Sequence, residues 1–175
     1  MDEAKGLRHV TMRRVASAAG ITPMAIYKHF PNRDELLRAA TAEEYHRIAA
    51  YFARANADTR IKGLRGMVGY LEYAQDHPNL FRYMFGEPRK DAFAYPERLT
   101  PARSPTLAML YDIVEDLMTR NILKKDNVPE TALSIWAHAH GFIALFIAGR
   151  IKMPREALRD VYVRSLNRLL FGLAK

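Results

Sequence analysis

The segment from Thr131 to Gly149 constrains the fold of this chain more than any other feature. It contains no Asp, Glu, Lys or Arg and is apolar nearly all round when drawn as a helix. Such a helix is stable at the centre of a bundle, in a subunit interface or in a membrane. Ser134, His138 and His140 interrupt it and it barely reaches spanning length, so we expect no membrane association.

Helical patterns also cover most of the remaining chain, so we predict an all-α fold. The chain has 175 residues and no cysteine, which excludes a disulfide framework, thiolate metal sites and a cysteine nucleophile and fits a cytoplasmic location. Apolar spacing, capping residues and prolines predict helices over 12–18, about two turns from 23, 34–52, 59–75, 80–85, 104–120, 131–149 and from 154 onward.

The last of these helices has one apolar face. Its apolar residues follow a 3.6-residue period: Leu158, Val161, Tyr162, Leu166, Leu169, Leu170 and Leu173. Together with the apolar helix before it, this face exceeds what a small monomeric bundle needs to cover. We therefore predict a homodimer formed through the helices near 131–149 and 155–173.

Two short helices joined by a glycine are predicted near the N-terminus. Thr11 can cap the first and Thr22 the second, in which Pro23 takes the first position, where its missing N–H costs nothing. Gly20 supplies a left-handed turn between them. We expect a helix-turn-helix whose inner side is formed by Val15, Ile21, Ile26 and Phe30.

The charge of this segment suits a polyanion. The net charge of the chain is +8, and the segment from Arg8 to Arg33 contains five basic residues and no acidic one. Charge alone does not identify the polyanion. The segment from Arg150 to Lys175 is also basic, with seven basic and two acidic residues, and a solvated helix face accounts for it.

The string VTMRRVASAAGITPMAIYKHFPNRDELL resembles the DNA-binding motif of the TetR family of transcriptional regulators along its whole length. Farther on, IWAHAHGFIALFIAGRI is similar to the Trp-His-Gly type of C-terminal domain in that family, with Trp136, His140 and Gly141 as the matching residues. The resemblance implies a helix-turn-helix domain with a connector helix in residues 1–50. Residues 51–175 would form an effector-binding and dimerisation domain.

The function implied is that of a ligand-responsive regulator, with repression favoured over activation, that binds palindromic double-stranded DNA as a homodimer and is released by a small molecule. Contacts with phosphates position such a protein, whereas contacts with base edges select the sequence. The resemblance assigns phosphate contacts to Thr11, Arg13, Thr22, Tyr27, His29 and Arg33, and the charge of Arg14 adds it as a further candidate. The resemblance assigns base contacts to Pro23, Met24, Ala25 and Lys28.

One position and one segment depart from the family pattern. Arg14 stands where the family usually has an acidic residue that closes a capping box with Thr11; the change weakens the cap and favours phosphate. The segment MDEAKGL matches only the end of the family's first helix. We therefore expect that helix to be largely missing, through a shortened chain or start site or, alternatively, in a loosely folded module that binds DNA poorly.

Aromatic and methionine residues in the C-terminal part are candidates for an effector site and suit an apolar or aromatic small molecule. Aromatic residues at helical spacing are more often plain core. The candidates are Tyr70, Tyr73, Phe81, Met84, Phe85, Met109, Ile113, Trp136, His140 and Phe142.

Other functions are less consistent with the sequence. His138 and His140 are two residues apart and point to different sides of a helix, so we expect no shared metal. No catalytic constellation or Gly-rich phosphate loop is evident, so we expect no cofactor and no enzymatic activity. The remaining alternative is an effector-binding helical dimer without a working DNA-binding head.

Overall fold

The computed structural model describes residues 10–55, 62–86 and 105–173. Capping residues begin its first three helices. The described residues form eight α-helices, one short 3-10 helix over Lys62–Arg65 and no strand, which confirms the predicted all-α class. The α-helices are α1 Met12–Ala18, α2 Pro23–His29, α3 Arg33–Arg54, α4 Gly66–Asp76, α5 Pro78–Gly86, α6 Pro105–Thr119, α7 Val128–Ile147 and α8 Arg155–Leu173.

The predicted helix-turn-helix is confirmed in its local detail. The Thr11 hydroxyl accepts from the Arg14 N–H at 3.3 Å, and the Thr22 hydroxyl accepts from the Ala25 N–H at 3.2 Å. Gly20 has φ +68°, the left-handed conformation expected at this turn. Thr11 therefore sets where α1 begins, and Gly20 and Thr22 set where α1 ends and α2 begins.

A small apolar cluster holds the two short helices together. Met12, Ala16 and Ile26 are buried at its centre, and Val15, Phe30 and Leu36 pack around them. Ile21 was expected on the inner side, but 44% of it is exposed. That expectation was wrong because the turn after Gly20 leaves Ile21 at the outside of the corner.

Helix α3 connects this cluster to a larger one. Asn32 caps its start by accepting from the Glu35 N–H at 2.9 Å, as predicted. Near its end, Ile48, Tyr51 and Phe52 enter the core formed by the later helices. The helix is two residues longer at its C-terminal end than the sequence indicated. The domain division at residue 50 stays a prediction, since α3 passes through it.

Helices α3 and α4 approach very closely. A Cβ on Gly69 would overlap the Tyr51 carbonyl, and one on Gly66 would lie 2.6 Å from Cδ1 of Phe52. Both glycines are therefore required by packing rather than by backbone conformation. The two helices are therefore in close contact at the C-terminal part of α3.

Helix α7 lies at the centre of the larger cluster, where it contacts α4, α5, α6 and α8. Its Ala132, Ile135, Ala139 and Ile143 are fully buried. It begins three residues before the predicted start because Asn127 caps it, and it ends before Gly149, which has φ +68°. Among the described residues, no helix has the length and apolarity that crossing a membrane requires.

The other predicted helices differ only at their ends. Helix α8 buries Leu158, Tyr162, Leu166 and Leu170 of the predicted stripe, while Val161 and Leu169 are half-buried. The predicted beginnings of the helices at Thr59 and Ser104 lie outside the described residues, as do the segment MDEAKGL and the side chain of Leu173.

Candidate DNA-binding face and effector site

Helix α2 presents an unusually apolar surface to solvent. Met24 is 71% exposed and Tyr27 is 50% exposed, while Ile26, between them in sequence, is buried. Large exposed apolar side chains on a short helix indicate a contact surface. The predicted DNA-binding residues that are exposed are Thr11, Arg13, Arg14, Thr22, Pro23, Met24, Tyr27, Lys28 and His29, whereas Ala25 and Arg33 are half-buried.

The electrostatics of this face favour an anion. From Val10 to Arg33 the chain contains no acidic residue. The Thr22 hydroxyl oxygen accepts from the backbone, which leaves its proton available to an acceptor outside the protein. Lys28 and His29 lie in the last turn of the same helix.

Arg33 has a structural role that sequence reasoning missed. Its Nε donates to the Val10 carbonyl at 2.8 Å, and its guanidinium lies 3.5 Å from the Asp34 carboxylate. The bond to Val10 fastens the beginning of α3 to the segment that precedes α1. Because the two bonded residues are 23 positions apart, helical periodicity carries no signal for this bond.

Five of the predicted effector-site residues form one aromatic cluster. The Tyr70 ring lies 5.2 Å from that of Phe81 and 5.8 Å from that of Phe85, measured between centroids. His140 stacks on Phe81 at 5.3 Å, and Trp136 lies 6.1 Å from His140. Tyr70 and Phe81 are buried, whereas the other three rings are half-buried. The cluster is therefore fully buried at Tyr70 and Phe81 and partly exposed at the other three rings.

Hydrogen bonds link three of these rings. The Trp136 indole N–H donates to the Tyr70 hydroxyl at 3.4 Å, and that hydroxyl lies 3.0 Å from Nδ1 of His140. Burial raises the pKa of the Tyr70 phenol far above its ordinary value of 10.0 and lowers the pKa of the His140 imidazole below 6.5. Both rings are therefore uncharged at neutral pH.

The other predicted effector-site residues lie outside this cluster. Phe142 packs against Tyr162 of α8, with 5.5 Å between ring centroids. Met109 and Ile113 are half-buried against the core from α6. Tyr73 and Met84 contact each other at 3.5 Å between the hydroxyl and the sulfur.

The family profiles agree with both parts of the architecture. Residues 64–169 match the profile described as "Tetracyclin repressor-like, C-terminal domain". Residues 3–40 match the one described as "Bacterial regulatory proteins, tetR family". The chain belongs to the TetR family. This TetR-family transcriptional regulator therefore carries a DNA-binding head on a C-terminal helical domain, and its membership is consistent with the absence of enzymatic activity expected from the sequence.

One curated relative is similar to part of the chain. The regulator is 23% identical over 107 residues to the nucleoid occlusion factor SlmA of Glaesserella parasuis serovar 5 (strain SH0165). The match covers 59% of this chain and 50% of that protein, so the chain spans about half the length of the curated relative.

Solved structures share the fold of the regulator. A protein of unknown function from Rhodococcus sp. RHA1 has a TM-score of 0.76 at 23% identity, over 99% of this chain and 89% of that one. The TetR family transcriptional regulator PfmR from Thermus thermophilus has a TM-score of 0.62 at 17% identity, over 99% and 94% of the two chains. Identities this low establish the fold alone.

The regulator buries a charged group that sequence reasoning missed. Glu44 of α3 is only 6% exposed; it accepts from the Tyr73 hydroxyl at 2.9 Å and lies 3.0 Å from the guanidinium of Arg47. Burial and the bond to Glu44 raise the pKa of Tyr73 far above 10.0. Glu44 lies on the buried stripe with Leu37 and Ile48, so helical spacing carried the signal.

A second polar network ties α3, α4 and α8 at the surface. Asp76 accepts hydrogen bonds from the Tyr51 hydroxyl at 2.8 Å and from the Arg155 guanidinium. Partial burial acts to raise the pKa of Asp76, but its bonds to Arg155 and Tyr51 outweigh burial and lower that pKa below 3.8. Asp76 and Arg155 border an open crevice of about 400 Å³.

The two histidines of α7 have separate environments. Nε2 of His138 lies 2.9 Å from the Ser165 hydroxyl of α8, whereas His140 belongs to the aromatic cluster. The described residues contain no group of three or more His, Asp or Glu side chains that could hold a metal ion.

Proposed function

We propose that this TetR-family regulator is a ligand-responsive repressor that acts in the cytoplasm. It binds palindromic operator DNA as a homodimer and is released by an apolar or aromatic small molecule. The observation that carries the proposal is the acid-free face of α2, with Met24 and Tyr27 exposed above a buried Ile26. An exposed apolar surface framed by cations suits a major groove, which offers thymine methyl groups and phosphates together.

Different residues make the two kinds of DNA contact. Thr11, Arg13, Arg14, Thr22, Tyr27, His29 and Arg33 contact phosphates and set the position of α2. Pro23, Met24, Ala25 and Lys28 contact base edges. Lys28 donates to guanine N7 and O6, and the apolar side chains pack on thymine methyl groups.

The homodimer forms through α7 and α8. Leu145 of α7 is 51% exposed and Phe171 of α8 is 73% exposed. Both side chains lie on the two helices predicted to form the interface, and they remain exposed although the chain itself buries most of the apolar stripe of α8. A two-fold axis through this surface presents two α2 helices to the two halves of a palindrome.

The effector binds at the aromatic cluster, and the α3–α4 contact transmits its effect. Tyr70 of the cluster and Gly69 of the close helix contact are neighbours on α4. A ligand that displaces α4 therefore moves α3 and changes the spacing of the two α2 helices. Ligand and operator weaken each other's binding by the same factor, because coupling between two sites is reciprocal.

Selection from a random DNA library, followed by gel-shift titration, tests the proposal. We expect a palindromic consensus bound by two chains per site. Failure to bind any DNA at low salt would contradict the repressor function and favour an effector-binding dimer without a working DNA-binding head.

Two substitutions separate the kinds of contact. Lys28→Ala should cost about 1–3 kcal/mol on the selected site and relax the preference at one base position. Tyr27→Phe should weaken binding to all sequences to a similar extent, because it removes a phosphate contact. Titration on the selected site and on point-substituted sites measures both effects, and the same response from the two variants would refute the division of roles.

A further inference from the structure

We propose that the effector carries an uncharged hydrogen-bond acceptor on an aromatic frame, typified by an aromatic ketone, and that the Nε2–H group of His140 donates to this acceptor. The inference rests on the proposed effector site and adds the chemical class of its ligand. It is carried by the direction of the hydrogen bonds that join Trp136, Tyr70 and His140.

The direction of the first bond is fixed by chemistry. An indole nitrogen only donates, so the Tyr70 hydroxyl oxygen accepts from Trp136 at 3.4 Å. Tyr70 is 2% exposed, and its single proton needs an acceptor. Nδ1 of His140, at 3.0 Å, is the acceptor that the described residues provide.

This arrangement selects one tautomer of His140. If Nδ1 carried the proton, the buried Tyr70 hydroxyl would receive two donors and its own proton would have no acceptor among the described residues. A buried donor without a partner is costly. The proton of the neutral imidazole therefore resides on Nε2, for which the described part of the chain shows no hydrogen-bond partner.

The surroundings of this donor define the ligand. Phe81 stacks on the imidazole, and Phe85 and Trp136 approach it at 5.4 Å and 6.1 Å between ring centroids. A ligand held there needs a flat apolar frame and one acceptor atom. None of the five members of the cluster carries a formal charge, so a carboxylate would lose its hydration without gaining a counter-ion from them.

The experiment uses three probes of similar shape on the full chain: acetophenone, α-methylstyrene and benzoate. α-Methylstyrene replaces the carbonyl oxygen by a methylene group, and benzoate replaces the acetyl group by a carboxylate. Trp136 is the only tryptophan in the chain, so its indole N–H gives one NMR signal that reports binding in the cluster. Long-range nitrogen spectra of the imidazole report the tautomer directly.

We expect acetophenone to bind roughly 2- to 10-fold more tightly than α-methylstyrene, the range that one net hydrogen bond supports. Benzoate should bind more weakly than acetophenone. Without ligand, the spectra should show the Nε2–H tautomer of His140.

Variants test the role of the donor. His140→Phe should bind both uncharged probes equally, because it keeps an aromatic ring and removes the donor. Tyr70→Phe should reduce the preference for acetophenone, because Nδ1 loses the hydrogen bond that the Tyr70 hydroxyl donates to it and that fixes the tautomer. His138→Phe is the matched control on the same helix, since His138 bonds Ser165 instead, and it should keep the preference. His140→Gln retains an N–H donor and should keep part of the preference for acetophenone.

The outcomes separate this inference from the proposed function. It would be overturned by equal binding of the two uncharged probes to the wild type, by tighter binding of benzoate, by an Nδ1–H tautomer, or by an indole signal that no probe shifts. Operator binding, measured on the same samples without probes, decides the repressor function independently of all these results.

Discussion

Gly20 shows at the scale of single residues how much the DNA-binding head depends on one backbone conformation. Its φ is +68°, and a Cβ there would meet nothing within 4 Å. Gly20→Ala therefore introduces only backbone strain and should cost about 1 kcal/mol. Urea unfolding followed by circular dichroism measures this change.

Gly141→Ala is the matched control for that variant. Gly141 lies inside α7, and a Cβ there also meets nothing within 4 Å. Alanine has the higher helix propensity, so this variant should gain about 0.5–1 kcal/mol. Equal stability changes in the two variants would contradict a conformational role for Gly20.

Local residue chemistry was predictable from the sequence, whereas long-range polar contacts were not. Thr11, Thr22 and Asn32 cap the helices that their spacing predicted, because a cap involves only three or four consecutive residues. The bond from Arg33 to Val10 joins residues 23 positions apart and depends on how the chain returns. No local pattern encodes such a contact.

At the scale of the helices, Tyr73 and Glu44 make the buried polar contact between α4 and α3. Tyr73→Phe removes the donor to a carboxylate that is 6% exposed and should cost about 1–3 kcal/mol in the free energy of unfolding. Chemical denaturation gives the value.

Tyr27→Phe removes the same hydroxyl from a side chain that is 50% exposed. It should change stability by less than about 0.5 kcal/mol. If the two phenylalanine variants unfolded alike, the bond between Tyr73 and Glu44 would have no part in joining the helices.

Helical spacing predicted the helices because the period of the apolar residues remains recognisable when a single position departs from it. It predicted α7 as a helix that is apolar nearly all round, which left a bundle centre and a subunit interface open. It also included Tyr70, Phe81, Phe85, Trp136 and His140 among ten candidates for the effector site. It could not separate Phe142, which lies on the same helix as His140 but faces Tyr162 of α8. Which side of a central helix a residue faces depends on the neighbouring helices.

At the scale of the whole molecule, the proposed dimer explains why apolar side chains of α7 and α8 remain exposed. Phe171→Glu places a charge in a surface that the partner would cover. The dissociation constant of the dimer should therefore rise at least about tenfold. Analytical ultracentrifugation measures the change.

Met24→Glu is the control for the dimer. Met24 is as exposed as Phe171, at 71% against 73%, but lies on the DNA face. It should leave the dimer intact while reducing operator affinity. A Phe171→Glu variant that dimerises like the wild type would place the dimer interface elsewhere.

The salt dependence of operator affinity tests the central claim most directly. A dimer whose two acid-free faces contact phosphates releases counterions on binding, and each contact contributes about −0.9 to the slope of log K against log salt concentration. We expect a linear fall with a slope of several units on the selected palindrome, and a shallower one for Arg13→Ala. Binding that did not change with salt, or that was absent at low salt, would contradict the account of this chain as a DNA-binding regulator.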